Sequence, residues 1–180
     1  NEFSEILGTI AGDDTIMLVL REGVATCNVP MASRPYGKRY RIRFTANVAE
    51  AGDMEFVNVP LNVFKKAAVD QISAGHPIWF ACDCTQFSLR GAGYFDCGTS
   101  PSNHAMTLTG VNLGEDGKPN RWKVENSWGK DNGEDGYYVA SDAWFDRYVT
   151  ELILRKEYLD EATRALLATD PVELEPWEPL

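Results

Sequence analysis

Between His104 and Ala140 the chain carries three runs rich in β-forming residues, His104–Val111, Arg121–Trp128 and Tyr137–Ala140, divided by turn sequences at Gly114–Asn120 and Gly129–Gly136. Short runs separated by such turns satisfy their backbone groups as sequential antiparallel strands, so this stretch predicts a three-stranded meander. The rest of the chain must be compatible with that sheet. Thr15–Leu20 reads as a strand, Lys38–Phe44 as a strand with one wet face, and Glu55–Val59 as another. Pro60 precedes a helical pattern over Leu61–Ala74 that Gly75 closes, and the unbroken apolar run Pro77–Cys82 predicts a strand buried on both faces. Ser141 is placed to cap a helix over Asp142–Tyr148, Val149–Leu154 alternates as a strand, and Asp160–Ala168 reads as a further helix. The expected fold is α+β: one domain with an antiparallel, barrel-like sheet and two or three packed helices. Residues 1–25 are expected to add a β segment that completes the lobe formed by residues 26–180.

Charge and length narrow the function. The 180 residues include 27 Asp and Glu against 17 Lys and Arg, a formal net charge of −10. No broad basic surface is available for nucleic acid or anionic lipid, and small, neutral or basic partners are expected. Thr15–Leu20 is the longest apolar stretch and is far short of a membrane span. Four cysteines without the spacing of a disulfide scaffold point to a reducing cytoplasm.

With only two histidines, an imidazole base is His76 or His104. His76, between Gly75 and Pro77, reads as a turn residue. His104 opens a strand directly after the Gly- and Ser-rich stretch Thr85–Asn103, where a rigid element can aim it at a cleft. The meander brings Asn126 beside it, so that Asn126 Oδ1 can accept a hydrogen bond from one imidazole nitrogen, and Trp128 can shield that bond from water. Cys82, Cys84, Cys97 and His104 form a Cys₃His set, but the Cys-x-Cys spacing is tighter than structural zinc sites use, so no metal and no cofactor are expected.

These residues carry a family resemblance. His104-Ala105-Met106, the Glu125-Asn126-Ser127-Trp128-Gly129 run, Gly136-Tyr137-Tyr138-Val139 and Ala143-Trp144-Phe145 closely resemble the C-terminal lobe of papain-like cysteine peptidases. Within them the match is to the aminopeptidase C and bleomycin hydrolase family, and it extends from near Pro35-Tyr36-Gly37-Lys38 to Pro176-Trp177. The resemblance implies the β-rich lobe of that fold, with His104 as general base toward a cysteine, Asn126 orienting it and Trp128 covering the pair. The family's nucleophile, a Cys followed by Trp at a helix N-terminus, has no counterpart, nor has the upstream Gln of its oxyanion hole. The implied chain is inert alone and acts on a peptide only when a nucleophile-bearing lobe is supplied. Among its own thiols Cys97 is the candidate substitute, with Cys82 and Cys84 on or just after the neighbouring strand; Cys27 reads as a small buried residue.

The first residues resemble something else. Ile6–Ile16, with Asp13-Asp14 at a glycine-flanked turn, resembles the C-terminal domain of bacterial arginine repressors, where such a pair meets a guanidinium. This predicts two alternatives to the peptidase reading: a recombined, non-catalytic fold whose grafted strand fills a sheet edge and drives self-association, and an arginine-binding module using Asp13 and Asp14. The acidic tail Asp170–Leu180 is expected to be a solvated arm tied down by Trp177.

Overall fold

The computed structural model describes residues 15–19, 36–42, 54–84 and 103–174. Their strands form one nine-stranded sheet. In chain order these are β1 (Thr15–Val19), β2 (Lys38–Ile42), β3 (Met54–Asn58), β4 (Ile78–Cys82), β5 (His104–Leu113), β6 (Pro119–Glu125), β7 (Tyr137–Ser141), β8 (Val149–Arg155) and β9 (Val172–Leu174). Their spatial order is β7-β6-β5-β4-β8-β1-β3-β2-β9. Among the described residues three α-helices accompany them, α1 (Leu61–Ser73), α2 (Asp142–Tyr148) and α3 (Glu161–Leu166), so the α+β class matches the sequence expectation.

The meander is present as expected, with β5, β6 and β7 paired antiparallel and β4 antiparallel to β5. Two pairs are parallel, β1 with β3 and β2 with β9. Hydrophobic periodicity reports which residues face a core and is blind to strand direction, so neither was legible in the sequence. β1, expected at an edge, lies inside the sheet between β8 and β3. The outermost strands are β7 and β9. Val172–Leu174, expected in a solvated arm, forms β9, and Arg41 on β2 holds it through Glu173 at 3.2 Å.

One core joins the sheet to the helices. Leu18, Val57, Ile78, Phe80, Leu108 and Leu152 are buried in it with Phe64 and Ala68 of α1. Gly75, at φ +84°, ends α1 in the left-handed region, and its N–H donates to Ile72 O at 2.9 Å. Gln71, buried on α1, donates from Nε2 to Pro77 O at 3.0 Å and accepts from Arg155 N at 2.8 Å, tying the helix to both the turn before β4 and the end of β8. Trp122 on β6 is fully buried and stacks on Phe145 of α2 with ring centroids 4.3 Å apart. Its Nε1 donates to Asp142 at 3.0 Å, and Lys65 of α1 bridges Asp142 at 2.8 Å and also reaches Asp146. Ser141 caps α2, accepting from Trp144 N at 3.1 Å.

β3 is buried on both faces: Val57 joins the main core, while Phe56 stacks on Tyr40 at 5.3 Å in a second cluster with Met17 and Leu174. Among the described residues no helix is long and apolar enough to cross a membrane.

Candidate active site

β4 and β5 bring the first candidate into position. His104 opens β5 opposite Cys82 at the end of β4. The two strands are clamped just beyond that pair, where Asn103 N donates to Cys82 O at 3.0 Å and the Asn103 side chain bridges Cys84 N and the buried Asp83 carboxylate, at 3.1 and 2.8 Å. The clamp restrains the backbone immediately before His104, as aiming a side chain from a strand end requires.

β6 ends at Glu125, one residue before Asn126, so Asn126 and Trp128 sit on the turn that follows rather than on the strand expected to run to Trp128. Backbone bonding still registers the turn: Asn126 N donates to Gly136 O at 3.0 Å. His104 Nε2 and Asn126 Oδ1 are 2.9 Å apart. An amide oxygen can only accept, so Nε2 carries a proton, and in the neutral ring Nδ1 is then the basic nitrogen. The same Oδ1 accepts from Ser127 N at 2.8 Å, which fixes the orientation of the amide.

Trp128 lies against the His104 ring at 5.3 Å between centroids and 30° between planes, and meets Tyr138 edge-on at 6.2 Å. It covers one side of the imidazole while remaining 47% exposed, so the cover is one-sided.

This constellation can be set against known proteins. The profile of the peptidase C1-like family matches residues 13–98 and 92–180. The chain belongs to this family. Aminopeptidase C of Lactococcus lactis subsp. cremoris is 37% identical over 205 residues, spanning 100% of this chain and 47% of that protein. Aminopeptidase C of Streptococcus thermophilus is 39% identical over 186 residues, spanning 91% of this chain and 42% of its own length. The solved structure of PepW from Lactobacillus rhamnosis HN001 matches with a TM-score of 0.76 at 34% identity, covering 93% of this chain and 42% of that one. The chain therefore spans less than half the length of these relatives. The alignment to the Lactococcus protein includes residues 1–25, so the idea of a second origin for that segment has no support.

Beside the dyad this peptidase C1-like chain has a groove of about 380 Å³ whose walls include Cys84, Met106, Trp128, Tyr138 and Trp144. Cys84 is the thiol on its wall. Neither described thiol is activated. Burial pushes the Cys82 thiol far above its ordinary range, with the neighbouring Cys84 and Asp83 adding to it. Burial and Asp83 raise Cys84 as well, against a weaker opposing backbone hydrogen bond. A thiol held protonated is a poor nucleophile. Among the described residues no group of three His, Cys, Asp or Glu side chains could hold a metal ion. Cys27, Cys97, Asp13, Asp14 and Trp177 lie outside the described residues. His76, read as a turn residue, lies before the start of β4, with its Nε2 3.2 Å from Arg155 Nη1.

Sequence reasoning missed the Asp83–Asn103 clamp. Its signal was weak, since an Asp between two cysteines and an Asn at the end of a Gly- and Ser-rich stretch resemble ordinary turn residues until the strand pairing places them together.

Proposed function

We propose that this chain is the His- and Asn-bearing half of a cysteine-type aminopeptidase, in which His104 is the general base and acid, Asn126 orients it and Trp128 covers the pair. The observation that carries the reading is the 2.9 Å contact between His104 Nε2 and Asn126 Oδ1, which leaves Nδ1 to exchange a proton with the reacting groups. The nucleophile is a cysteine on a lobe outside the described residues, in keeping with relatives named aminopeptidase C that are more than twice as long as the match.

His104 takes the thiol proton at Nδ1, and the thiolate attacks the carbonyl carbon of a peptide bond. The proton then passes from Nδ1 to the leaving amine as the C–N bond breaks, giving a thioester. Water, deprotonated by the same nitrogen, attacks the thioester; the C–S bond breaks, the acid product leaves, and Nδ1 returns the proton to the thiolate. Without the second lobe the chain is inert.

The test is reconstitution. The chain is combined with the Cys-bearing remainder of a related aminopeptidase C and assayed on aminoacyl amides. Hydrolysis that needs both pieces and is abolished by His104→Ala supports the reading. Hydrolysis by the chain alone, or hydrolysis by the pair that survives His104→Ala, overturns it.

A further inference from the structure

We infer that Asn132 is a positioning residue that holds Trp128 over His104 and couples that cover to Asn126. The inference rests on the peptidase reading for its meaning, but its geometry stands independently of it.

Trp128 is 47% exposed, so packing restrains only part of its ring. One ring face lies toward His104 and one edge meets Tyr138, so the ring's orientation depends on where its backbone is held. Trp128 lies beyond the end of β6, and no ladder bond of that strand reaches it.

The anchor is Asn132. Its Nδ2 donates to Trp128 O at 2.7 Å, its backbone N donates to Gly129 O at 3.2 Å, and its carbonyl accepts from Gly136 N at 2.9 Å. Gly136 O in turn accepts from Asn126 N at 3.0 Å. A continuous hydrogen-bonded path therefore runs from the carbonyl of the covering tryptophan, through Asn132 and Gly136, to the backbone of the residue that accepts from His104.

The next residue shows how closely this loop is fitted. Gly133 has φ +65°, and a Cβ there would stand 2.5 Å from Tyr137 O and 2.9 Å from Tyr138 Cζ. The loop thus passes directly against the tyrosine on which Trp128 rests. Of the two isosteric side chains at position 132, only asparagine donates to the Trp128 carbonyl: an aspartate presents oxygens to it and repels it.

The test uses the whole chain and proton NMR of its two histidines. In the native chain the Trp128 ring current displaces the ring protons of His104, and Trp128→Ala defines the full loss of that displacement. Asn132→Ala and the isosteric Asn132→Asp are each expected to lose most of it, while the His76 signals, next to Arg155, stay in place and report an intact fold. A merely structural role would disturb both histidines or neither.

A folded variant with native His104 signals overturns the inference. So does unfolding of both variants, which would make Asn132 a residue of the fold, and so does a Trp128→Ala chain whose His104 signals do not move. Because no activity is read, failure here leaves the peptidase reading standing, and failed reconstitution leaves this inference standing.

Discussion

Replacing Asn126 with alanine removes the oxygen that accepts from His104 Nε2 at 2.9 Å. In the resting state that bond joins two neutral groups, but when Nδ1 holds the transferred proton the ring is an imidazolium and the bond becomes charge-assisted. A hydrogen bond to a charged group contributes about 1.5–3 kcal/mol. At about 1.4 kcal/mol per factor of ten, Asn126→Ala should lower kcat/KM of the reconstituted enzyme by roughly ten- to 150-fold. Removal of the base itself, by His104→Ala, should lower it by about 10²–10⁴-fold. The bond from Ser127 N to the same oxygen is exposed, and water replaces it at little cost. The assay is initial-rate hydrolysis of an aminoacyl amide, with thermal melting of each variant to exclude a folding defect. Unchanged kcat/KM in Asn126→Ala would mean that the amide neither selects the tautomer nor stabilises the imidazolium, and would rule out the orienting role.

Two further outcomes concern the fold. Asp142→Ala leaves the buried Trp122 Nε1–H without its acceptor and takes one of the two carboxylates from Lys65; urea unfolding should show a loss of about 1–4 kcal/mol, the sum of an unsatisfied buried donor and a lost charge at the start of α2. Burial raises the Glu55 carboxyl, but hydrogen bonds and charge from Arg39 and Arg41 outweigh it and hold the folded-state value below the usual 4.5. Its stabilising contribution is therefore complete above that value and lost as pH falls through the lower folded-state value, so Glu55→Gln should flatten the acid limb of a melting-temperature profile measured below pH 5.

Local chemistry was the legible part of the fold. The cap of Ser141 on α2, the stop of α1 at Gly75 and the meander that brings His104 to Asn126 each depend on a few neighbouring residues, and each was readable from them. What escaped depends on distant parts of the chain. That β1 lies between β8 and β3, and that Val172–Leu174 runs parallel to β2, are choices among partners that have similar apolar patterns. The same holds for the site. His104, Asn126 and Trp128 stood out as residue types at a chemically suggestive spacing, whereas Asp83, Asn103 and Asn132 are common loop residues whose roles exist only once the backbone has folded around them. Trp128 lies against the His104 ring yet stays 47% exposed, because exposure of an aromatic ring on a turn is set by what packs beyond it.

In the proposed reading this chain holds a base and its orienting amide but no activated thiol among the described residues. Labelling the chain with an active-site-directed epoxide under reducing conditions, with and without His104→Ala, followed by peptide mapping, tests it most directly. Cys82 and Cys84 are expected to react no faster than a free thiol, and removing His104 to change nothing, since burial keeps both protonated. Rapid modification of either cysteine that disappears in His104→Ala would contradict it, for it would place a working thiolate and imidazole pair within this chain.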